Sequence, residues 1–165
     1  MDKVLIVGRH GMAPFLADEI RDIDRTLNED GILETYDMAE LIKKKKISPD
    51  KIITSQAVRA IHTSQIYQRV FKLDFSQIEM VEDVYSNDVK QLLSLIHSQP
   101  NEIDTLMIVG HNPAISHVSY HFAQLPEVQM DPSGVTIIKF DVDRWDSIDI
   151  GLMKQAKHYC PEYDL

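Results

Sequence analysis

Cysteine is nearly absent: Cys160 stands alone in 165 residues. That excludes an internal disulfide framework and suits a reducing, cytoplasmic compartment. Long hydrophobic runs are missing as well. No apolar stretch approaches the ~20 residues needed to cross a bilayer, so no membrane partner is expected. The opening MDKVLIVGRHG has too short an apolar run for a signal peptide and reads as leading directly into a first strand. With no linker, repeat or low-complexity segment, one domain over 1–165 is expected, long enough to bury a substantial core. Positive charge is scarce. The net charge of −9 disfavours general attraction to nucleic acid. The lysine run Lys43–Lys46 falls at the end of a predicted helix, where cations complement the negative end of the dipole. An acidic chain can still bind a small anion where it concentrates its positive charge locally.

What is present is an ordinary globular composition, 44% hydrophobic and 26% charged, in which short apolar runs alternate with helix-period segments. KVLIV, DKIITS, IEMV and TLMIVG read as strands, and GVTIIKFDV and the neighbourhood of IDIGLMK as closing strands. Between them, GILETYDMAELIKKKK, VRAIHTSQIYQRVF, VKQLLSLIHS and AISHVSYHFAQL read as helices. The first of these places Ile32, Leu33, Tyr36, Ala39 and Ile42 on one face, with Asn28 as its N-cap. This alternation predicts an α/β fold: a three-layer α/β/α sandwich around a mostly parallel sheet. The last two strands have no helix between them, so one edge is expected to be antiparallel.

Polar residues of unusual type fall where predicted strands stop. Arg9 and His10 follow the first, Glu82, Asp83 and Asp88 the third, and His111 and Asn112 follow TLMIVG. Arg59 sits in the first turn of the helix after the second strand. Open α/β sheets bind ligands outside the carboxyl ends of their strands, so these residues should meet at one rim. Two guanidiniums can grip a tetrahedral anion by paired hydrogen bonds. The helix start carrying Arg59 adds amide donors, and Gly8 and Gly110 are expected to let backbone and ligand approach closely. A histidine beside arginines resists protonation and keeps a nitrogen free to attack phosphorus. A second can donate to a phosphoryl oxygen as charge develops. The set predicts phosphoryl transfer through a phosphohistidine, with no metal or other cofactor needed because the arginines supply the charge.

RHG after the first strand, TSQAVRAIHTS after the second and VGHNPAIS late in the chain resemble the histidine phosphatase, or phosphoglycerate mutase-like, superfamily. The compact length, DIDRTLNEDG and VGHNP are similar to its SixA-type phosphohistidine phosphatase branch. The resemblance runs from Val4 to about Trp145. It implies the phosphoglycerate mutase-like fold, with His10 as the phosphorylated nucleophile, Arg9 and Arg59 as phosphate ligands and His111 as the second core histidine. Asn112 and His62 are further candidates for the pocket, although a packing role for His62 is equally open. The chain departs from the family pattern at Ser55-Gln56, where Ser-Pro is common, and at His62, where Gln is common. Glu82 and Asp83 are adjacent candidates for a general acid, a group that SixA-type proteins can lack. Long cap insertions are absent, which favours a phosphorylated protein as substrate, although small phosphoesters could enter.

Other readings compete. His97 and His158 are read as packing residues. His117 and His121, spaced i, i+4, could mark a metal pair, but no third ligand stands near them. GRHG lacks the G-x-G-x-x-G spacing of a dinucleotide loop. The acidic stretch from Asp18 to Asp30 reads as a solvated rim, with Arg25 paired locally, and Cys160 as an incidental thiol. Against the phosphohistidine phosphatase stand a broad phosphomonoesterase or mutase, and an inactive phosphatase-like module that binds a phosphorylated partner. The intact His10, Arg9, Arg59 and His111 argue against the inactive module.

Overall fold

The computed structural model describes residues 2–14, 20–124 and 129–165. Among them the apolar runs form one six-stranded sheet: β1 (Lys3–Arg9), β2 (Lys51–Thr54), β3 (Ile78–Met80), β4 (Thr105–Gly110), β5 (Val135–Phe140) and β6 (Met153–Tyr159). Its helices are α1 (Glu29–Lys44), α2 (Val58–Phe71), α3 (Val89–His97), α4 (Ala114–Ala123) and a short α5 (Pro161–Asp164). The order β3-β2-β4-β1-β5-β6 is parallel from β3 to β1 and antiparallel at β5 and β6. This is the mostly parallel sheet with an antiparallel edge that the alternation predicts. Among the described residues, no helix is long and apolar enough to cross a membrane.

The period of two in a strand decides the layering. Leu5, Val7, Leu106 and Ile108 pack on Leu92 and Ile96 of α3 and on Ile115, Val118 and Phe122 of α4. The alternate residues Ile6, Met107 and Val109 meet Met38, Ala39 and Ile42 of α1 and Ala60, Tyr67 and Val70 of α2. Each fully buried side chain of this kind stabilises the fold by roughly 1.5–3 kcal/mol. With both faces covered, the central strands are continuous apolar runs.

Two local expectations shift. Asn28 does cap α1, accepting from the Gly31 N–H at 2.8 Å, but Leu33 is 56% exposed. The inner face is Gly31, Thr35, Met38, Ala39 and Ile42. It is turned this way because Gly31 seats the helix directly on the Met12 backbone, where a Cβ would lie 2.4 Å from the Met12 carbonyl oxygen. The last strand starts only at Met153, because the middle of IDIGLMK, Ile150–Leu152, forms a 3₁₀ turn. β6 is the sheet edge and of its seven residues only Tyr159 is buried, so hydrophobicity does not mark it. Asp18 at the start of the acidic stretch, and Leu125 at the end of the fourth predicted helix, lie outside the described residues.

Candidate active site

Register explains why two strands each end on a histidine. β1 and β4 are parallel neighbours with Arg9 opposite Gly110, so His10 and His111 leave the sheet side by side. The His10 N–H donates to the Gly110 carbonyl at 3.2 Å, and the two imidazole centroids are 4.9 Å apart. β2 stops at the same level, with Thr54 opposite Val109, and delivers Ser55 and the start of α2. From that first turn Arg59, 4% exposed, reaches both rings. Its Nε donates to His10 Nε2 at 3.2 Å, and its Nη2 approaches His111 Nδ1 at 3.4 Å. The chain before α1 closes the group: Gly11 N–H donates to Thr63 Oγ1 at 3.0 Å.

The partners fix the proton positions. A carbonyl only accepts, so His10 Nδ1, 2.7 Å from the Gly11 oxygen, must carry a hydrogen. Its Nε2 carries the ring's one in-plane lone pair, which accepts from Arg59 in the cleft. His111 is the opposite tautomer: Nδ1 faces a guanidinium that only donates, so Nε2–H donates to Ser55 Oγ at 2.7 Å. Burial, chiefly, and the nearby arginine charges lower the His10 pKa to about 4, against the Gly11 hydrogen bond, which raises it. Burial, His10 and Arg59 push His111 down to about 3. Both rings are neutral at pH 7.

These groups line a cleft of about 550 Å³ together with Arg9, Met12, Ala13, Asp22, Arg25, Tyr85, Asn87, Asn112 and Pro132. The Arg9 side chain makes one hydrogen bond among the described residues, from Nη1 to the Met130 carbonyl at 2.8 Å, and its buried Nε has no partner. The far end of the Arg59 guanidinium is gripped by Asp22, through the Asp22 carbonyl to Nη1 and through Oδ2 to Nη2 at 2.9 Å. Asp22 Oδ2 also accepts from Tyr85 Oη at 2.9 Å, and Oδ1 from Arg25 Nε at 3.0 Å. The Tyr85 ring stands edge-on to His111, with centroids 5.5 Å apart. The guanidinium is thus held at one end and presents its Nε/Nη2 edge to both histidines, a fork that fits two oxygens of a tetrahedral anion.

A chain assigned as a phosphohistidine phosphatase SixA from Agrobacterium tumefaciens is 32% identical, in an alignment covering 84% of this chain and 92% of that one, with a TM-score of 0.75. The chain belongs to the SixA family of histidine phosphatases. A protein histidine phosphatase SixA complexed with tungstate, 20% identical over 96% of this chain and 97% of that one, has a TM-score of 0.80. A chain likewise assigned as SixA, from Nakamurella multipartitia, is 17% identical over 96% of each, with a TM-score of 0.77. These two speak for the fold alone. No protein-family model and no curated protein matches the chain.

Within this SixA-family fold, the structure brings Arg9, His10, Arg59, His111 and Asn112 to one cleft and leaves other candidates outside. Asn112 lines it, but both ends of its amide are committed: Nδ2 donates to the Met130 carbonyl at 2.9 Å and Oδ1 accepts from Ser116 at 2.5 Å. It shapes the loop. His62 is half-buried on the flank of α2, where burial and Arg69 lower its pKa, and it is not among the described lining residues. Thr63 takes the position facing the Gly11 loop. Glu82 and Asp83 are exposed at the start of a 3₁₀ turn whose buried residue is Val84, and neither is among the described lining residues. Gly8 is not a point of close approach, since a Cβ there would meet its nearest atom at 3.5 Å. Tightness occurs at Gly110, against Ile115 side-chain carbons at 2.9 Å, and at Gly11, against the Gly31 carbonyl oxygen at 2.7 Å. Both serve packing under the histidines.

The Asp18–Asp30 stretch is not simply a solvated rim, because Asp22 and Arg25 line the cleft. The Asp22-x-x-Arg25 pair within DIDRTLNEDG was the available signal for them, whereas nothing in the sequence marks Tyr85. Among the described residues no group of three or more His, Cys, Asp or Glu stands together as a metal site. Cys160 is buried, donates to Asp131 Oδ2 at 3.1 Å and has its thiol pKa raised by burial. His97 and His158 bond to the Ile148 carbonyl and to Thr136 Oγ1, in keeping with packing roles.

Proposed function

We propose that this chain removes phosphate from phosphohistidine on a protein, through a phosphorylated His10. The observation that carries the reading is the Arg59 fork spanning the two histidines while Gly11 holds the His10 Nδ1 hydrogen. That arrangement leaves Nε2 as a buried, neutral nucleophile beside a preorganised anion site. The phosphoryl oxygens take the place of Nε2 on the Arg59 fork and draw in the unpartnered edge of Arg9. His10 Nε2 attacks phosphorus, the bond to the leaving nitrogen breaks and its pair stays on that nitrogen. Water then attacks the phosphorus of phospho-His10, the electron pair returns to Nε2, and dihydrogen phosphate leaves. The substrate ring enters with a hydrogen on its second nitrogen and so leaves as neutral imidazole, and Gly11 keeps the His10 Nδ1 hydrogen throughout, so charge balances in both steps without an added proton. His111 turns its unprotonated Nδ1 to the same fork, so it meets a phosphoryl oxygen as a donor only after taking up a proton there. The open cleft suits a phosphorylated side chain presented by a protein surface.

The test uses His10→Ala. Wild type incubated with a phosphohistidine-bearing protein should release phosphate and trap acid-labile phosphate on itself. A folded His10→Ala protein should do neither, and substantial turnover by that variant would reject the covalent route.

A further inference from the structure

Asp22 is out of place in an anion site. It is the one carboxylate among the described residues lining the cleft, set among Arg9, Arg25 and Arg59, and it repels the phosphoryl dianion those arginines are suited to hold. Gripping the end of Arg59 explains part of its presence but leaves two facts over. Its side chain is 42% exposed whereas His10 is 7% exposed, so the carboxylate lies outward of the nucleophile, on the approach side. A carboxylate offers about four acceptor sites. Arg25, Arg59 and Tyr85 occupy three of them.

Phosphoryl transfer proceeds roughly in line, so the leaving group departs on the side away from the attacking nitrogen. With His10 at the floor, that side is the mouth where Asp22 and Tyr85 stand. Resting on the proposed phosphohistidine reading, we infer that Asp22 is a specificity residue whose carboxylate accepts the ring N–H of the substrate's phosphorylated imidazole. The reaction then exchanges a phosphoryl group between two imidazoles, each with its second nitrogen protonated and held. Gly11 O holds the hydrogen of His10, and Asp22 holds that of the substrate. His10 Nε2 forms its bond to phosphorus as the P–N bond to the substrate breaks. The pair stays on the substrate nitrogen, and the ring departs as neutral imidazole with the hydrogen it already had.

The other side-chain amide oxygens lining the cleft are neutral, those of Asn87 and of Asn112, which already accepts from Ser116, and the acids Glu82 and Asp83 stand outside, so Asp22 is the one charged acceptor among the described lining residues. The same carboxylate disfavours phosphoesters, whose leaving oxygen gathers negative charge and presents no N–H. A site built around one hydrogen-bonding group rejects a substrate that lacks the partner.

The experiment compares kcat/KM for phosphohistidine in a peptide and for p-nitrophenyl phosphate in wild type and in Asp22→Asn, with Asp22→Ser as a second variant should the first not fold. Losing a charged acceptor should lower the phosphohistidine to aryl phosphate ratio by about 10- to 100-fold. An equal loss on both substrates would overturn the inference, because a residue that only holds Arg59 weakens every phosphoryl substrate alike. A wild type that hydrolyses the aryl phosphate but leaves phosphohistidine untouched would instead overturn the proposed function itself, before any variant is compared.

Discussion

His10 and His111 are held as opposite tautomers by one guanidinium, one carbonyl and one hydroxyl, and this is measurable. Long-range ¹⁵N–¹H NMR at pH 6 should find His10 neutral with its hydrogen on Nδ1, and His111 neutral with its hydrogen on Nε2. A cationic ring at either position would contradict the assigned contacts. The depressed pKa values also set a stability profile. Below the ordinary 6.5 the unfolded chain takes up protons that the folded rings refuse, so stability falls with pH. The contribution is complete above 6.5 and is lost as pH drops toward about 4 for His10 and about 3 for His111. The slope is at most ~1.4 kcal/mol per pH unit for each ring. Urea unfolding between pH 7 and 4.5 should show this fall, and His10→Gln should flatten it; an unchanged slope in the variant would mean that His10 is not a refusing group. At this scale Arg9, His10, Arg59 and His111 were legible because each sits where a predicted strand or helix turn ends. Tyr85 was not, because a loop residue joins the site only through tertiary placement.

Elements transmit order to that site through backbone contact. α1 starts at the site, with Gly31 packed on Met12 and Gly11 on the Gly31 carbonyl, so the loop carrying His10 is wedged between the β1 end and a helix. Gly31→Ala would set a Cβ 2.4 Å from the Met12 carbonyl oxygen and 2.6 Å from its nitrogen. Backbone cannot swing aside as a flexible side chain can, so the helix must shift. The gain in helix propensity, near 1 kcal/mol, loses to an overpacking cost of about 1–3 kcal/mol or more. Thermal unfolding and phosphatase assays should show the variant both less stable and less active. Gly151→Ala, with nothing within 4 Å, should be neutral in both; similar losses in the two would discredit the wedge. Periodicity located α2 and β4 to the residue, because their apolar patterns report real burial. It placed β6 too early and gave no sign of α5, since an edge strand reading MKQAKHY and a four-residue helix bury too little to leave a pattern.

Across the whole molecule, strand order decides which strand ends share the cleft. β4 and β1 are central neighbours and β2 flanks β4, so their ends converge, but β3 lies at the sheet edge beyond β2. Glu82 and Asp83 follow β3 and stay exposed, and the chain returns to the cleft only at Tyr85. These acids stand at the right kind of strand end, but on the wrong strand, and sheet order is not legible locally because it arises from pairings distant in sequence. The topology thus bears on leaving-group chemistry. A phosphoester releases an alkoxide or phenoxide, and even a tyrosine phenol has a pKa of ~10, whereas imidazolium has a pKa of ~6.5. General-acid help is worth ~10²–10⁴-fold where it is needed. With Asp22 held as an acceptor by Arg25, Arg59 and Tyr85 and no other carboxylate among the described lining residues, the site suits a nitrogen leaving group far better than an oxygen one. The double substitution Glu82→Gln with Asp83→Asn should leave phosphohistidine turnover within about tenfold of wild type, below the range of a lost general acid. Single-turnover rates on a phosphohistidine protein measure this directly. A deep loss in a folded double variant would require the loop after β3 to close over the bound substrate, bringing one of these carboxylates to the reacting phosphorus, and would shift the reading toward a broader phosphomonoesterase.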